Sequence, residues 1–236
     1  MGTLAERVAA GLGDRIRLGQ PVRSITQGDG AVTVESEATS VRARRVIVAV
    51  PPALAREMAF DPPLPPDRGE LYERAVAGWE TKTLVVYDEA FWRKEGFSGQ
   101  TAEPGSLAEV TIDASPPSGT PGVLASFTFA HVARDAAGMP EHDRRKLVLE
   151  ALAGRLGPRA ASPEDFVETS WWEQPWTRGC SFAHLPPGVL TRLGHLLREP
   201  FGAVHWAGTE TSTASHGSID GAIRSGWRAA AEVLDT

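Results

Sequence analysis

The sequence predicts an α+β fold of mixed α/β character, and three observations carry that prediction. Strand-like and helix-like segments follow one another irregularly, without a strict β-α-β rhythm. Several strands come in neighbouring pairs joined by Gly- and Pro-rich connections, the mark of antiparallel meanders. Two long stretches, 140–157 and 217–234, carry apolar residues at helical spacing.

Taken in order, "TLAERVAAGL" is a short helix stopped by Gly11 and Gly13. "RIRLGQPVRSITQ" and "AVTVES" are strands joined by a tight turn at Gly28–Gly30. "VRARRVIVAV" reads as one strand ending at Pro51-Pro52, residues suited to the first turn of a helix because the missing N–H costs little there. "FDPPLPPDR" is a proline-stiffened loop and "RGELYERAVA" a helix. "ETKTLVVYDEAFW", "LAEVTIDA" and "GVLASFTFAH" are three strands, the last two separated by "SPPSGTPG". "PEHDRRKLVLEALAGRLG" is an amphipathic helix with Leu147, Val148, Leu149, Leu152 and Leu156 available for its buried face. "FVETSWW" is a further strand, followed by "LPPGVLTRLGHLLRE" and the short apolar run "GAVHWAG". The last helix runs from about Gly217 to Leu234, and its spacing puts Ile219, Ala222, Ile223, Gly226, Ala230, Val233 and Leu234 on one side.

Composition narrows the function classes. At 236 residues the chain suits one domain or two small ones. Its 42% hydrophobic and 23% charged content is that of a soluble globular protein. A net charge of −6 with no basic block argues against nucleic acid as partner. No apolar run reaches the roughly 18–20 residues of a membrane span, and the N-terminus lacks the apolar region of a signal peptide, so cytoplasm is the expected location. One cysteine, Cys180, excludes an internal disulfide and any thiolate-rich metal site.

The stretch "AGTETSTASHGSIDGAI" is the strongest local signal. Gly217 and Gly221 lie four apart at the opening of the last helix, where the lack of Cβ atoms lets a flat ring system approach the backbone. Free N–H groups and the positive dipole end favour an anion or a carbonyl edge. Thr209, Thr211, Ser212 and Thr213 add hydroxyls. The same residues equally describe a hydroxyl-rich N-cap with glycines used for packing. Elsewhere, Lys82 shares a strand face with Leu84 and Val86 by period two, an arrangement also open to a rim lysine whose stem snorkels to solvent. Cys180 alone reads as a small buried hydrophobe, and Phe127, Trp172 and Trp176 as core aromatics.

"GAVHWAGTETSTASHGSIDGAIRSGWRAAAEVL" resembles the C-terminal flavin-binding segment of the flavin-dependent monoamine oxidase family. "LGDRIRLGQPVRSITQ", "VIVAVPPALAREMAFDPPLPPDR", "KTLVVYDEAFWRK" and "WTRGCSFAHLPPGVLTRLGHLLREP" resemble further blocks of that family, in the family's order. The resemblance covers essentially the whole chain but only the second half of a monoamine oxidase, without the N-terminal G-x-G-x-x-G unit that holds the cofactor pyrophosphate. It implies part of an FAD-binding domain interleaved with part of an antiparallel-sheet substrate domain. The expected division is 1–77 and 171–236 on the FAD side and 78–170 on the substrate side. It further implies FAD as cofactor, and oxidation of a small-molecule amine with O2 returned as H2O2. A truncated or split chain is expected, needing a partner that supplies the N-terminal half; a non-catalytic fragment or subunit is the alternative.

Residue by residue, the resemblance implies that Lys82 is the catalytic-site lysine holding a water beside the flavin. Val22 makes a backbone contact to the adenine, Trp171 packs by the flavin, and Cys180 stands where some members attach FAD covalently. Gly208, Thr209, Glu210, Gly217, Ser218 and Ile219 complete the cofactor set. Phe127 lines the substrate cavity. Ser181 and Ser218 occupy positions where members carry the two aromatic rings that flank the amine, and Ser215, beside His216, replaces a tryptophan. A bulkier or more polar amine, or an amino acid, suits the space so opened.

Overall fold

In the computed structural model, which describes residues 2–180 and 182–235, the chain leaves one folded unit at Arg74 and returns to it at Pro187, with Ala75–Pro186 forming a second unit. The first unit opens with α1 (Gly2–Ala10), which buries none of its residues. The predicted hairpin follows, as β1 (Val22–Gly28) and β2 (Ala31–Ser36). Asp29 and Gly30 close it at φ 52° and 69°, the pair of positive φ values that a two-residue hairpin turn demands.

The single strand expected over "VRARRVIVAV" is instead two. β3 (Ser40–Ala43) pairs with β2, whereas β4 (Val46–Val48) joins a different sheet. Arginines at 44 and 45 separate the two apolar segments, and each segment serves its own sheet. Pro52 begins α2 (Pro52–Ala55) as the prolines predict. The "FDPPLPPDR" loop overlaps β5 (Ala59–Asp61), parallel to β1, at its start and α3 (Pro66–Arg74) at its end.

The second unit is an antiparallel sheet under one helix. After β6 (Val76–Ala77) come β7 (Glu80–Tyr87), α4 (Phe91–Lys94), β8 (Thr101–Ala102), β9 (Val110–Asp113) and β10 (Gly122–Phe129). Then follow α5 (Ala130–Ala136), α6 (Glu141–Leu156), β11 (Asp165–Ser170) and β12 (Ala183–His184). The sheet order is β11-β7-β10-β9-β8, and β12 pairs with β6. Alternation along β7 buries Thr81, Thr83, Val85 and Tyr87 and leaves Lys82, Leu84 and Val86 half-buried. Val85, Tyr87 and Leu124 form the core with Trp92 and with Val148, Leu152 and Leu156 of α6. The Tyr87 hydroxyl donates to the Ala160 carbonyl at 2.9 Å, and burial pushes its pKa up. Leu147, expected on the buried face of α6, is 41% exposed. It lies one residue off the stripe that meets the sheet.

The chain re-enters the first unit through α7 (Val189–Leu193), β13 (Val204–Trp206), parallel to β4, and α8 (Ile219–Leu234). Trp206 is the centre of this core: Tyr72 meets it edge-on at 5.6 Å and the Arg68 guanidinium lies 4.6 Å over its ring. The orientation of α8 departs from the expected one. Its buried residues are Gly221, Ser225 and Ala229, while Ile219 and Ile223 are 46% and 43% exposed. Small side chains let the helix lie close to its neighbours, and the bulky residues are left outward. Trp176, expected in a core, is 66% exposed; it sits in a turn within "EQPWTRG" rather than in a strand or helix.

Candidate functional site

The expected site residues fall into two groups, one in each unit. In the first unit, β13 delivers the chain to Gly208 (φ 118°), and Thr209–Thr211 forms one turn of 3-10 helix. Ser218 is the N-cap of α8, its hydroxyl accepting from the Gly221 N–H at 3.1 Å. The Thr209 hydroxyl donates to the Ser218 carbonyl at 3.1 Å, so the structure brings 208–210 and 217–219 together. Val22 is exposed at the start of β1, opposite Ser36.

Most polar groups of this loop serve the loop itself. The Gly208 N–H donates to Ser225 Oγ at 2.9 Å, and the Thr211 hydroxyl donates back to the Gly208 carbonyl at 2.9 Å. The Ser212 hydroxyl donates to the Ala214 carbonyl. Arg228 donates to the Trp206 carbonyl at 2.6 Å and to Thr211 Oγ1 at 3.0 Å while pairing with Glu232. The two glycines have separate reasons. Gly217 adopts φ 76°, a left-handed conformation that glycine takes without strain. A Cβ on Gly221 would stand 2.2 Å from the Ser215 carbonyl oxygen, so a loop, not a ligand, already fills that space.

What the first turn of α8 can still offer is its backbone. N–H groups at the start of a helix have no intrahelical acceptor, and Ser218 satisfies that of Gly221, leaving Ile219 and Asp220 the donors open to a ligand. Asp220, whose carboxyl is held low by the hydrogen bond from Arg224, already places a negative charge at the positive end of the dipole. This end therefore fits the neutral carbonyl edge of a flavin ring better than a phosphate.

In the second unit, Lys82 and Phe127 are direct cross-strand partners, and Lys82 also pairs with Thr169 on the other side. Lys82 Nζ lies 5.4 Å from the Phe127 ring centroid. Both project from the face turned away from α6, among Leu84, Val86 and Val110, and Phe127 stacks on Phe129 with centroids 6.0 Å apart. An ammonium on an apolar sheet face gains cation–π attraction from an aromatic ring placed beside it.

Trp171 begins the turn that follows β11, and its neighbour Trp172 stacks on Trp79 at 4.8 Å. Cys180 is a half-buried thiol outside any disulfide. Its N–H donates to the Gly78 carbonyl at 3.0 Å, and a Cβ on Gly78 would stand 2.0 Å from the Cys180 carbonyl oxygen. Ser181 lies outside the described residues. Gly78, Trp79, Thr169, Ser225 and Arg228 are the positions that sequence reasoning missed. Ser225, Arg228 and Glu232 share one helical face at i, i+3 and i+7, the signal that could have found Ser225 and Arg228. Among the described residues no group of His, Cys, Asp and Glu could hold a metal ion, and no helix is long and apolar enough to cross a membrane.

Comparison with known proteins identifies the family. Residues 1–234 match the family described as flavin containing amine oxidoreductase. The chain is 36% identical over 234 residues to a probable flavin-containing monoamine oxidase A of Dictyostelium discoideum, covering 98% of this chain and 51% of that protein. It is 39% identical to an L-amino acid dehydrogenase of Synechocystis sp., covering 99% of this chain and 50% of that one. Among solved structures, wild-type putrescine oxidase bound to putrescine superposes with a TM-score of 0.95 at 31% identity, over 100% of this chain and 53% of that chain. The chain thus spans about half the length of the relatives it matches. With the family matched from end to end and the fold reproduced, this chain belongs to the flavin-containing amine oxidoreductases.

Proposed function

We propose that this chain carries part of the FAD site and part of the substrate cavity of an amine oxidase. The observation that carries the reading is Lys82, set on an apolar sheet face with its ammonium 5.4 Å from the Phe127 ring. FAD would supply the acceptance of a hydride from the substrate's C–N carbon and the delivery of electrons to O2. In this reading the chain's own residues position and exclude. The Ile219 amide and the Thr209–Ser218 clasp hold the flavin edge, Val22 reaches the adenine, and Trp171 packs against the ring. Gly208, Glu210 and Gly217 shape the loop. Lys82 orients a water and favours the reaction with O2, and Phe127 forms cavity wall. Cys180, fixed by Gly78, is the residue for covalent attachment.

Substrate scope follows from the serines at 181 and 218, small residues where an aromatic pair would confine a simple amine. A bulkier or more polar amine, or an amino acid, is the substrate class proposed. Relatives named for monoamines, an L-amino acid and putrescine span that range. The pyrophosphate needs a glycine-fingerprint unit beyond these 236 residues, whether on the same polypeptide or another. Exposed apolar residues on α1 and α8, Leu4, Val8, Ile219, Ile223 and Trp227, suit contact with such a unit.

The test is reconstitution. The chain is produced with the fingerprint-bearing half of the putrescine oxidase fold, incubated with FAD and desalted. Retained flavin absorbance with amine-dependent peroxide is expected, and yellow colour in an acid precipitate would assign attachment to Cys180. A folded, associated pair that retains no flavin would overturn the reading.

A further inference from the structure

A second feature lies on the α6 side of the second unit's sheet, away from Lys82. The loop 103–107, α5 and the middle turns of α6 line a groove of about 630 Å³, within the range of small-molecule sites. Its floor is apolar, formed by Val132, Met139, Leu147 and Ala151. The two large apolar residues that α6 and its approach leave exposed, Leu147 at 41% and Met139 at 39%, therefore belong to one floor. Its rim carries the carboxylates of Glu103 and Asp135 and the imidazole of His131, and among the described residues no Lys or Arg side chain lines it.

The groove is held in shape. Arg155, mostly buried, donates to Thr101 Oγ1 and the Ala108 carbonyl at 2.8 Å each, to Ser106 Oγ at 3.2 Å, and pairs with Glu103 at 3.2 Å. The Thr128 hydroxyl donates to the Leu107 carbonyl at 2.6 Å, tying the same loop to β10. Asp135 pairs with Arg134 at 3.5 Å with both side chains more than 60% exposed, a contact that stabilises little.

We propose that this groove is a second ligand site, taking an organic cation with an apolar body: an ammonium group on an aryl or alkyl chain. The apolar floor receives the body, and Asp135, with the outer face of Glu103, receives the charge. Charge complementarity selects the cation, and the volume suits a small molecule better than a basic amphipathic helix. The proposal is independent of flavin binding.

Of the two methionines that the structure describes, Met58 and Met139, only Met139 lines the groove, so methyl-labelled methionine reports on it directly. Phenethylammonium would be titrated into the labelled protein, with 3-phenylpropan-1-ol and 3-phenylpropanoate as neutral and anionic counterparts and Met139→Leu to assign the signal. The expected result is a saturable Met139 shift with the ammonium alone, Met58 unmoved, and affinity lowered by about two- to fivefold in Asp135→Asn. Overturning results are no saturable shift, an equal response to the alcohol, unchanged affinity in Asp135→Asn, or saturation only by a Lys/Leu-rich helical peptide. Loss of flavin binding in the reconstitution leaves this outcome untouched.

Discussion

The Gly208 N–H and the Ser225 hydroxyl are joined by a 2.9 Å hydrogen bond, and Ser225 is almost wholly buried. A residue of α8 thereby fixes the loop that leaves β13. Ser225→Ala deletes the acceptor and strands a backbone donor, at a cost of about 1–3 kcal/mol. The urea midpoint should fall accordingly; an unchanged midpoint would mean the loop is held by Arg228 alone.

Gly221→Ala sets a gain against a clash. Helix propensity favours alanine by about 1 kcal/mol, but its Cβ would lie 2.2 Å from the Ser215 carbonyl. Backbone cannot yield as a flexible side chain does, and overpacking of this kind costs typically about 1–3 kcal/mol. A lowered melting temperature is expected, whereas Gly226→Ala, with nothing within 4 Å of the added carbon, should not lower it.

Lys82→Met keeps the apolar stem and removes the charge. Thermal stability should change little, because the ammonium's attraction to Phe127 acts across 5.4 Å and such contacts give about 0.5–1 kcal/mol at exposed sites. In the reconstituted oxidase, stopped-flow traces should show reoxidation by O2 slowed by at least about tenfold, with reduction by substrate close to wild type. Equal slowing of both half-reactions would remove the lysine from its proposed role.

Asp113 makes acid stability predictable in sign. Burial pushes its carboxyl up, but hydrogen bonds from Arg93, Ser115 and Trp92 outweigh it and hold the pKa well below the carboxylate range. With the folded pKa below the unfolded one, its contribution is present above about pH 4 and is lost as pH falls toward the folded value. Urea midpoints measured from neutral to acid pH should decline less steeply for Asp113→Asn than for wild type. Parallel curves would show that other carboxylates dominate.

Ala130 joins β10 to α5 at φ 49°, a conformation that costs a non-glycine residue roughly 1–2 kcal/mol. Ala130→Gly should hold or raise the melting temperature, and Ala130→Val should lower it. The opposite order would show that contacts of the Ala130 methyl outweigh the backbone strain.

How much of this was legible in the sequence depended on how local the cause was. The Asp29-Gly30 turn, Pro52 at a helix start and the Val148–Leu152–Leu156 stripe follow from neighbours a few residues apart, and the sequence predicts all three. The inward face of α8 does not follow from its apolar spacing, because Gly221, Ser225 and Ala229 are buried for their size and for Gly208, not for their hydrophobicity. Two-residue strands such as β6, β8 and β12 are too short to show a period at all. The candidate site shares this division. Lys82 on a strand is readable, but Phe127 and Thr169 as its flanking partners depend on a register set across the sheet.

That register has a kinetic meaning. β7 is bordered by β11 and β10, and β10 by β7 and β9, so Lys82 and Phe127 both stand on interior strands. Amides on such strands exchange with deuterated solvent only when a large cooperative segment opens. The pair belongs to the slowest-breathing part of the unit, and its spacing is conserved through every faster fluctuation. Any motion that admits a ligand to Lys82 must be made by something else.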